Sequence, residues 1–469
     1  MSLPKESKQT GDLSSIDGST IAAIATAAGR GGVGIIRVSG PNAIYIGEQI
    51  TRQSTSPRHA LHTRFHSADD TVLDSGIYLF FPRPHSFTGE DVVELQAHGG
   101  PVILDLLLKE CCLLGARPAR PGEFSERAYL NDKMDLTQAE AIADLIASTT
   151  EKAARNASQS LLGSFSREIN RLVEAVTQLR IFVEAAIDFP EEEIDFIEEG
   201  QVAQKLAHIS AQLKNVEQEA KQGCITREGM KLVIAGKPNA GKSSLLNALS
   251  GQDTAIVTAI EGTTRDVLRE DIQIDGMPLL IVDTAGLRES PDEIEQEGIR
   301  RAWKEMESAD RILLVIDAST DQQELPQDEL ILSNHQRRLL EKTPITRIYN
   351  KCDLSNETPK VTKTDDAVSI HLSAKKHLGI NLLTAHLKDC MGYSSDIEGR
   401  FSARRRHLQS LQDAANYLEA GYLQITEAGA GELLAEDLRQ CQNSLGEITG
   451  VVSSDELLGK IFSSFCIGK

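Results

Sequence analysis

The sequence predicts a multidomain fold of mixed α/β and α+β character, in which a parallel α/β unit is inserted into a helical domain split in two. Three observations carry this. The first part of the chain mixes glycine-flanked strands with an amphipathic helix. From about Thr137 the pattern becomes continuously helical. At Lys231 it changes to short apolar strands alternating with helices, and from about Arg400 it returns to helix. With ~150 residues per domain, a chain of 469 residues suggests two to four domains.

Taken in order, residues 1–20 are polar and are expected to fray. IAAIAT, GGVGIIRVSG and SGIYLFFPRP read as strands, and GPVILDLLLKECCLLGA as a helix whose start is marked by Gly99, Gly100 and Pro101. The turn-rich RPARPGEF leads into the helical stretch. That stretch is broken by an acidic run from Asp188 to Glu199 without Lys or Arg, which reads as a solvated connector rather than a metal site. Another helix spans roughly 201–222. The strands KLVIAG, PLLIVDTAG, RILLVIDAS, ITRIYNKCD and VSIHLSAK then predict a parallel sheet. The resulting boundaries are 1–132, 133–228, 229–390 and 391–469. An inserted unit hangs on two linkers, which favours relative motion.

Composition narrows the function. Asp plus Glu number 69 against 49 Lys plus Arg, so the net charge of −20 excludes coating nucleic acid or anionic membrane by bulk charge. Aromatics at 4% leave little for extended base stacking. The seven cysteines are scattered, with no C-x-x-C pair, as expected in a reducing cytosol. The first residues lack the apolar core of a signal peptide, and no apolar run reaches ~18 residues. A cytoplasmic protein with no membrane partner is expected.

Gly236-Lys-Pro-Asn239-Ala240-Gly241-Lys242-Ser243 fits G-x-x-x-x-G-K-[ST], after a strand and opening the helix that begins with Ser243 and Ser244. Glycines let backbone N–H groups curl around phosphates, and the helix start adds positive potential. Lys242 is expected on the β and γ phosphates and Ser243 on Mg²⁺. Asp283-Thr284-Ala285-Gly286 ends the next strand; its aspartate can hold Mg²⁺ through water and its glycine can meet the γ-phosphate. Asn350-Lys351-Cys352-Asp353 ends another, and an aspartate there accepts both the N1 and N2 hydrogens of guanine, which adenine lacks. Ser373-Ala374-Lys375 supports the base. In this order, at strand C-terminal ends, the motifs specify GTP and a Ras-like P-loop unit.

Thr258, Ala259, Ile260, Glu261, Gly262, Thr263 and Thr264 form the candidate switch loop, with Thr264 the second Mg²⁺ hydroxyl. After Gly286 stands Leu287, where Ras-like enzymes place a water-orienting glutamine. Leucine can neither orient water nor supply charge. Glu295 is a candidate to orient water, though an exposed helix carboxylate would look the same.

The chain resembles the bacterial tRNA-modification GTPase family MnmE (TrmE). The resemblance rests on GRGGVGIIRVSG, SFTGEDVVELQAHGGP, RPGEFSERAYLNDKMDLTQAEAIADLI, AIDFPEEEIDF, VTAIEGTTRD, DTAGLRE and FCIGK. It implies an N-terminal tetrahydrofolate-binding α+β domain that dimerises, a discontinuous helical domain and an inserted G domain. It implies a homodimer acting with MnmG, an FAD-containing partner, in a heterotetrameric or larger complex. Together they attach an aminomethyl or carboxymethylaminomethyl group to C5 of the wobble uridine of certain tRNAs, with a one-carbon unit from 5-formyl- or methylene-tetrahydrofolate.

The resemblance also implies K⁺ in place of an arginine finger, held by Asn239, Thr258, Ile260 and Thr263, with Glu295 orienting the attacking water through a second water. Its folate positions fall on Arg37, Glu94, Lys133 and Lys469. Alone, Arg37 reads equally as a strand-edge salt bridge, Glu94 as a solvated face and Lys133 as a helix-start lysine. Cys466 in FCIGK is a candidate nucleophile or redox thiol, or else a small buried residue. Arg404-Arg405-Arg406 reads as an ion-paired helical face or a tRNA phosphate contact. The rival from another class is a GTPase assembly factor or switch that binds ribosomal RNA and modifies nothing.

Overall fold

The computed structural model describes residues 18–54, 56–188, 199–236, 239–250, 269–283, 309–319, 343–355, 357–364, 368–393, 400–427, 430–452 and 454–468. The chain forms two compact units. One comprises Met1–Ala143, Leu161–Ile209 and Asp413–Lys469; the other comprises Asp144–Ser160 and Ser210–Gln412.

The first unit is built on a six-stranded sheet of β1 (Ile21–Ile24), β2 (Gly31–Ser39), β3 (Leu61–His66), β4 (Val72–Phe81), β5 (Val92–Gly99) and β6 (Arg117–Pro118), in the order β3-β4-β5-β2-β1-β6. All pairs are antiparallel except β1 with β6. Strand residues alternate between faces. Ile36, Val38, Val93 and Leu95 therefore pack with α1 (Ala43–Thr51) and α2 (Pro101–Leu113), where Ile46, Ile50, Leu104 and Leu107 close the core. Pro101 opens α2, where its missing N–H costs nothing. Ile21, Ala23, Arg37 and Glu94 belong to the opposite face.

A buried ionic cluster forms in the same unit around α3 (Glu123–Leu130). Glu123, 2% exposed, accepts from Arg117 at 2.6 Å and from Arg127 at 3.1 Å, and Arg127 also reaches Glu90 at 3.0 Å. Its carboxyl is held below the usual carboxylate range: burial pushes it up, but the Arg117 hydrogen bond, the Arg120 N–H and the two arginine charges outweigh that. Long helices Ser164–Asp188 and Gly431–Thr449 pack side by side, and the C-terminal helix Asp455–Ser463 buries Phe462 beside Leu136 and Ala139.

The second unit carries a seven-stranded sheet: β7 (Met230–Gly236), β8 (Arg269–Ile274), β9 (Met277–Asp283), β10 (Arg311–Asp317), β11 (Ile345–Asn350), β12 (Lys360–Lys363) and β13 (Val368–His371), ordered β12-β13-β11-β10-β7-β9-β8. The five inner strands are parallel and both edge strands are antiparallel. The apolar runs of β7, β10 and β11 are buried, as a parallel sheet covered on its faces requires. The β8–β9 turn at Asp275–Gly276 is tied down in the same unit. Tyr393 Oη donates to the Asp275 carbonyl at 2.8 Å, and Lys388 pairs with the Asp275 carboxylate at 2.6 Å. Among the described residues, no helix is long and apolar enough to cross a membrane.

Candidate functional site

Every loop of interest in the second unit leaves the C-terminal end of a parallel strand. Residues 236–241 follow β7, Asp283 ends β9 opposite Ile234, Asp317 ends β10 opposite Asn350, and residues 350–353 and 372–375 follow β11 and β13. Glycine is required at both ends of the first loop. Gly236 has φ +148° and Gly241 φ +96°; a Cβ would lie 2.3 Å from the Val315 carbonyl in the first and 2.2 Å from Asn350 Nδ2 in the second. Asn239, between them, is exposed with φ +64°. The helix α4 (Lys242–Ser250) then begins, so its first N–H groups, which have no intrahelical partner, border the loop. Lys242 Nζ donates to the Gly236 carbonyl at 2.8 Å, across the loop mouth. Ser243 and Ser244 are exposed in the first turn.

One side chain ties three loops together. Asn350 donates from Nδ2 to the Ala240 carbonyl at 2.9 Å and accepts at Oδ1 from the Ala374 N–H at 2.9 Å. Lys351 donates to the Asn239 carbonyl at 2.9 Å and to Asp317 at 2.5 Å. Cys352 and Ser373 are buried beneath, while Asp353 is part-exposed and Lys375 exposed. Burial pushes the Cys352 thiol up, so it is a packing residue rather than a reactive one. The cradle, the lysine across its mouth and a helix start fit a nucleotide's phosphates. Ser243 and the strand end at Asp283 fit an oxygen-ligated Mg²⁺.

A second cluster lies on the far face of the six-stranded sheet. Arg37 donates to Glu94 from Nε at 3.0 Å and from Nη2 at 2.9 Å. Its guanidinium sits 5.4 Å from the Phe87 ring centroid and 5.7 Å from that of Phe124. Ile21, Ala23, Ala119 and Phe124 make an apolar floor with Phe87. β2 is an interior strand, so Arg37 is not at an edge, and Glu94, 14% exposed, is not a solvated carboxylate. The end of the chain arrives here too. Gly122 N–H donates to the Cys466 carbonyl at 3.3 Å, and a Cβ on Gly468 would lie 2.2 Å from the Ile24 carbonyl. The Cys466 residue is exposed. Lys133 Nζ donates to the Pro84 carbonyl at 2.9 Å, in the loop that also supplies Phe87. A planar ligand with a donor edge would find an acceptor carboxylate, a cation and two aromatic rings.

Comparison with known proteins matches these two halves to one family. The MnmE helical domain model matches residues 136–466, and that of the GTP-binding protein TrmE N-terminus matches residues 20–133. The tRNA modification GTPase MnmE of Proteus mirabilis is 58% identical over 96% of this chain and 99% of that protein. Those of Marinobacter nauticus and Pseudomonas entomophila are each 59% identical, again over 96% of this chain and 99% of theirs. The chain belongs to the MnmE family.

For this MnmE family member, the structure brings together Asn239, Ala240, Gly241, Lys242, Asn350, Lys351, Ser373 and Ala374 at the C-terminal ends of the inner strands of the seven-stranded sheet, and Arg37 with Glu94 on a face of the six-stranded sheet. Thr258, Ala259, Ile260, Glu261, Gly262, Thr263, Thr264, Thr284, Ala285, Gly286, Glu295 and Lys469 lie outside the described residues, and Asp283 is described by its backbone alone. Of the four positions expected to hold K⁺, Asn239 is therefore the described one. Arg404 pairs with Asp144 at 2.7 Å and Arg405 with Glu228 at 2.8 Å, which is the ion-paired face rather than a free basic patch. Sequence reasoning missed Asp317, Phe87, Phe124 and the Glu123–Arg127 pair. The last has a visible signal, opposite charges four residues apart on a helix. Asp317 has a weaker one, an aspartate closing the strand beside the guanine-motif strand.

Proposed function

We infer that this chain is a GTP-hydrolysing enzyme of tRNA modification. The observation that carries it is the glycine-lined loop at Gly236–Gly241, bridged by Lys242 and locked by Asn350 to the loops on either side, in a chain matched over 96% of its length by the MnmE protein of Proteus mirabilis. Lys242 holds the β and γ phosphates, and the α4 N-terminus and loop N–H groups stabilise the charge that develops there. Asp353 accepts from the guanine edge, with Ser373-Ala374-Lys375 behind the base. Ser243, Thr264 and Asp283 would hold Mg²⁺, which would neutralise phosphate charge. Water attacks the γ-phosphorus, the bond to the β–γ bridging oxygen breaks, and GDP and phosphate leave. With Leu287 unable to orient that water, Glu295 does so. Asn239, Thr258, Ile260 and Thr263 hold K⁺, which supplies the charge an arginine would.

The Arg37–Glu94 face takes the folate, 5-formyl- or methylene-tetrahydrofolate, with Glu94 on the pterin's amino-pyrimidine edge and Arg37, Lys133 and Lys469 serving its carboxylates. Cys466 stands beside this face as the candidate nucleophile. The working assembly is a cytoplasmic homodimer that acts with MnmG on the wobble uridine of tRNA. Its domains are 1–132, 133–228, 229–390 and 391–469. GTP turnover drives conformational change rather than supplying transferred atoms. Two measurements test this reading. Hydrolysis is expected to be fast in K⁺ and slow in Na⁺, and equal rates would remove the cation site. Reduced folate is expected to bind, and failure at saturating concentration would remove the folate face.

A further inference from the structure

Lys351 stands inside the guanine motif, yet its ammonium points at two other places. It donates to the Asn239 carbonyl at 2.9 Å and to Asp317 Oδ2 at 2.5 Å. Asp317 belongs to no nucleotide motif. It is the last residue of β10, and its second oxygen is occupied too: Oδ1 accepts from the Ser319 N–H at 3.0 Å and from the Ser319 hydroxyl at 2.6 Å. The backbone around it is equally fixed. Asp317 pairs in register with Asn350, and the next N–H, on Ala318, donates to the Asn350 carbonyl at 2.8 Å. The carboxylate is therefore held at both oxygens on a buried central strand.

The two residues it links need holding. Lys351 has φ +68°, a left-handed conformation that costs a lysine more than it costs Asn239, which has φ +64°. Lys351 is an alkyl stem with three donors and much rotamer freedom, so a carbonyl alone fixes it poorly. A carboxylate at 2.5 Å fixes its position by a charge-assisted bond.

We propose that Asp317 is a positioning residue for nucleotide turnover: it holds Lys351 on the Asn239 carbonyl, adding a second tie to that of Asn350 between the guanine loop and the phosphate loop. This rests on the reading of residues 236–243 and 350–353 as the nucleotide site. The two loops grip opposite ends of GTP. Asn350 already ties them through the Ala240 carbonyl; the Lys351 bond is a second tie, and without it the joint between them is looser and the nucleotide leaves faster. Asn239 is also the P-loop position proposed to hold K⁺, so the same tether sets how that side chain is presented.

The test is the dissociation rate of a fluorescent GDP analogue from the full-length chain, followed by stopped flow, with the unfolding temperature of each variant measured beside it. Asp317→Ala is expected to release the analogue roughly tenfold faster, the loss of one hydrogen bond to a charged group. Asp317→Asn, which keeps an acceptor oxygen, is expected to recover at least half of that change on a logarithmic scale. The K⁺ concentration for half-maximal hydrolysis is expected to rise in Asp317→Ala. Release within twofold of the unsubstituted chain overturns the proposal. So does faster release that is equal in the Ala and Asn variants and tracks a lowered unfolding temperature, because that marks a purely structural carboxylate. If the unsubstituted chain does not bind the analogue, the nucleotide reading fails and this proposal fails with it. If it binds but shows no K⁺ dependence, only the cation assignment fails, and the release rates still decide.

Discussion

The phosphate loop of the seven-stranded sheet and the Arg37–Glu94 face of the six-stranded sheet are built by opposite means. The first is mostly backbone: two glycines, a left-handed asparagine and a helix start, all within residues 236–243. The second is mostly side chain: a guanidinium and a carboxylate 57 residues apart, framed by Phe87 and Phe124. A backbone site is written in a contiguous motif because local conformation dictates it. A side-chain site exists only once strands have paired, so its residues carry no signature until their register is known.

That contrast can be broken by substitution, and the largest effect is expected at the phosphate loop. Lys242→Ala should lower GTP hydrolysis about a hundredfold or more while leaving reduced-folate binding intact; a loss of both would mean the two sites are not separable. Asp353→Asn comes next. It replaces an acceptor by a donor, so guanine nucleotide affinity should fall by a factor of about 100, and a competition titration should show xanthine nucleotides gaining. On the other face, Arg37→Ala should weaken binding of 5-formyl-tetrahydrofolate about tenfold and leave Glu94 part-buried without its partner; unchanged GTP hydrolysis in the same protein would sharpen the division.

Acid should separate the regions further. Glu123's carboxyl lies below its ordinary value in the folded chain, so its contribution is complete above ~4.3 and is lost as pH falls through the lower folded value. Glu126, pushed up by burial ahead of its arginine contacts, works in the opposite direction. Glu123→Gln should flatten the acid limb of the stability profile, read by circular dichroism between about pH 5 and 3. The smallest effect is expected at Arg405, an exposed partner of Glu228. Arg405→Ala should change stability by less than ~1 kcal/mol, and a large loss of tRNA affinity would show that the ion-paired face also grips RNA.

The sequence pattern carried the architecture of the second unit almost whole. All five parallel strands are apolar runs, and they are found as expected in β7, β9, β10, β11 and β13. The two edge strands were illegible. REDIQI and KVTK are short and charged, features that keep an edge from pairing with another chain and also hide it from a hydrophobicity reading. In the first unit β3 and β5 were missed: both alternate polar and apolar residues, as in VVELQAHG, instead of forming the apolar runs that mark the other strands. Arg37 and Glu94 became recognisable through family resemblance, and their pairing through the β2–β5 register. Asp317 escaped because its role depends on Lys351 and Asn239, which meet only in the folded sheet.

GTP turnover at this phosphate loop is proposed to serve the modification of tRNA. The most direct test is the nucleoside composition of tRNA from a strain lacking this gene and complemented with either the unsubstituted chain or Lys242→Ala. The modified wobble uridine should vanish on deletion, return with the unsubstituted chain and stay absent with Lys242→Ala. Full modification in the deletion strain, or restoration by Lys242→Ala expressed to the same level, would contradict the account.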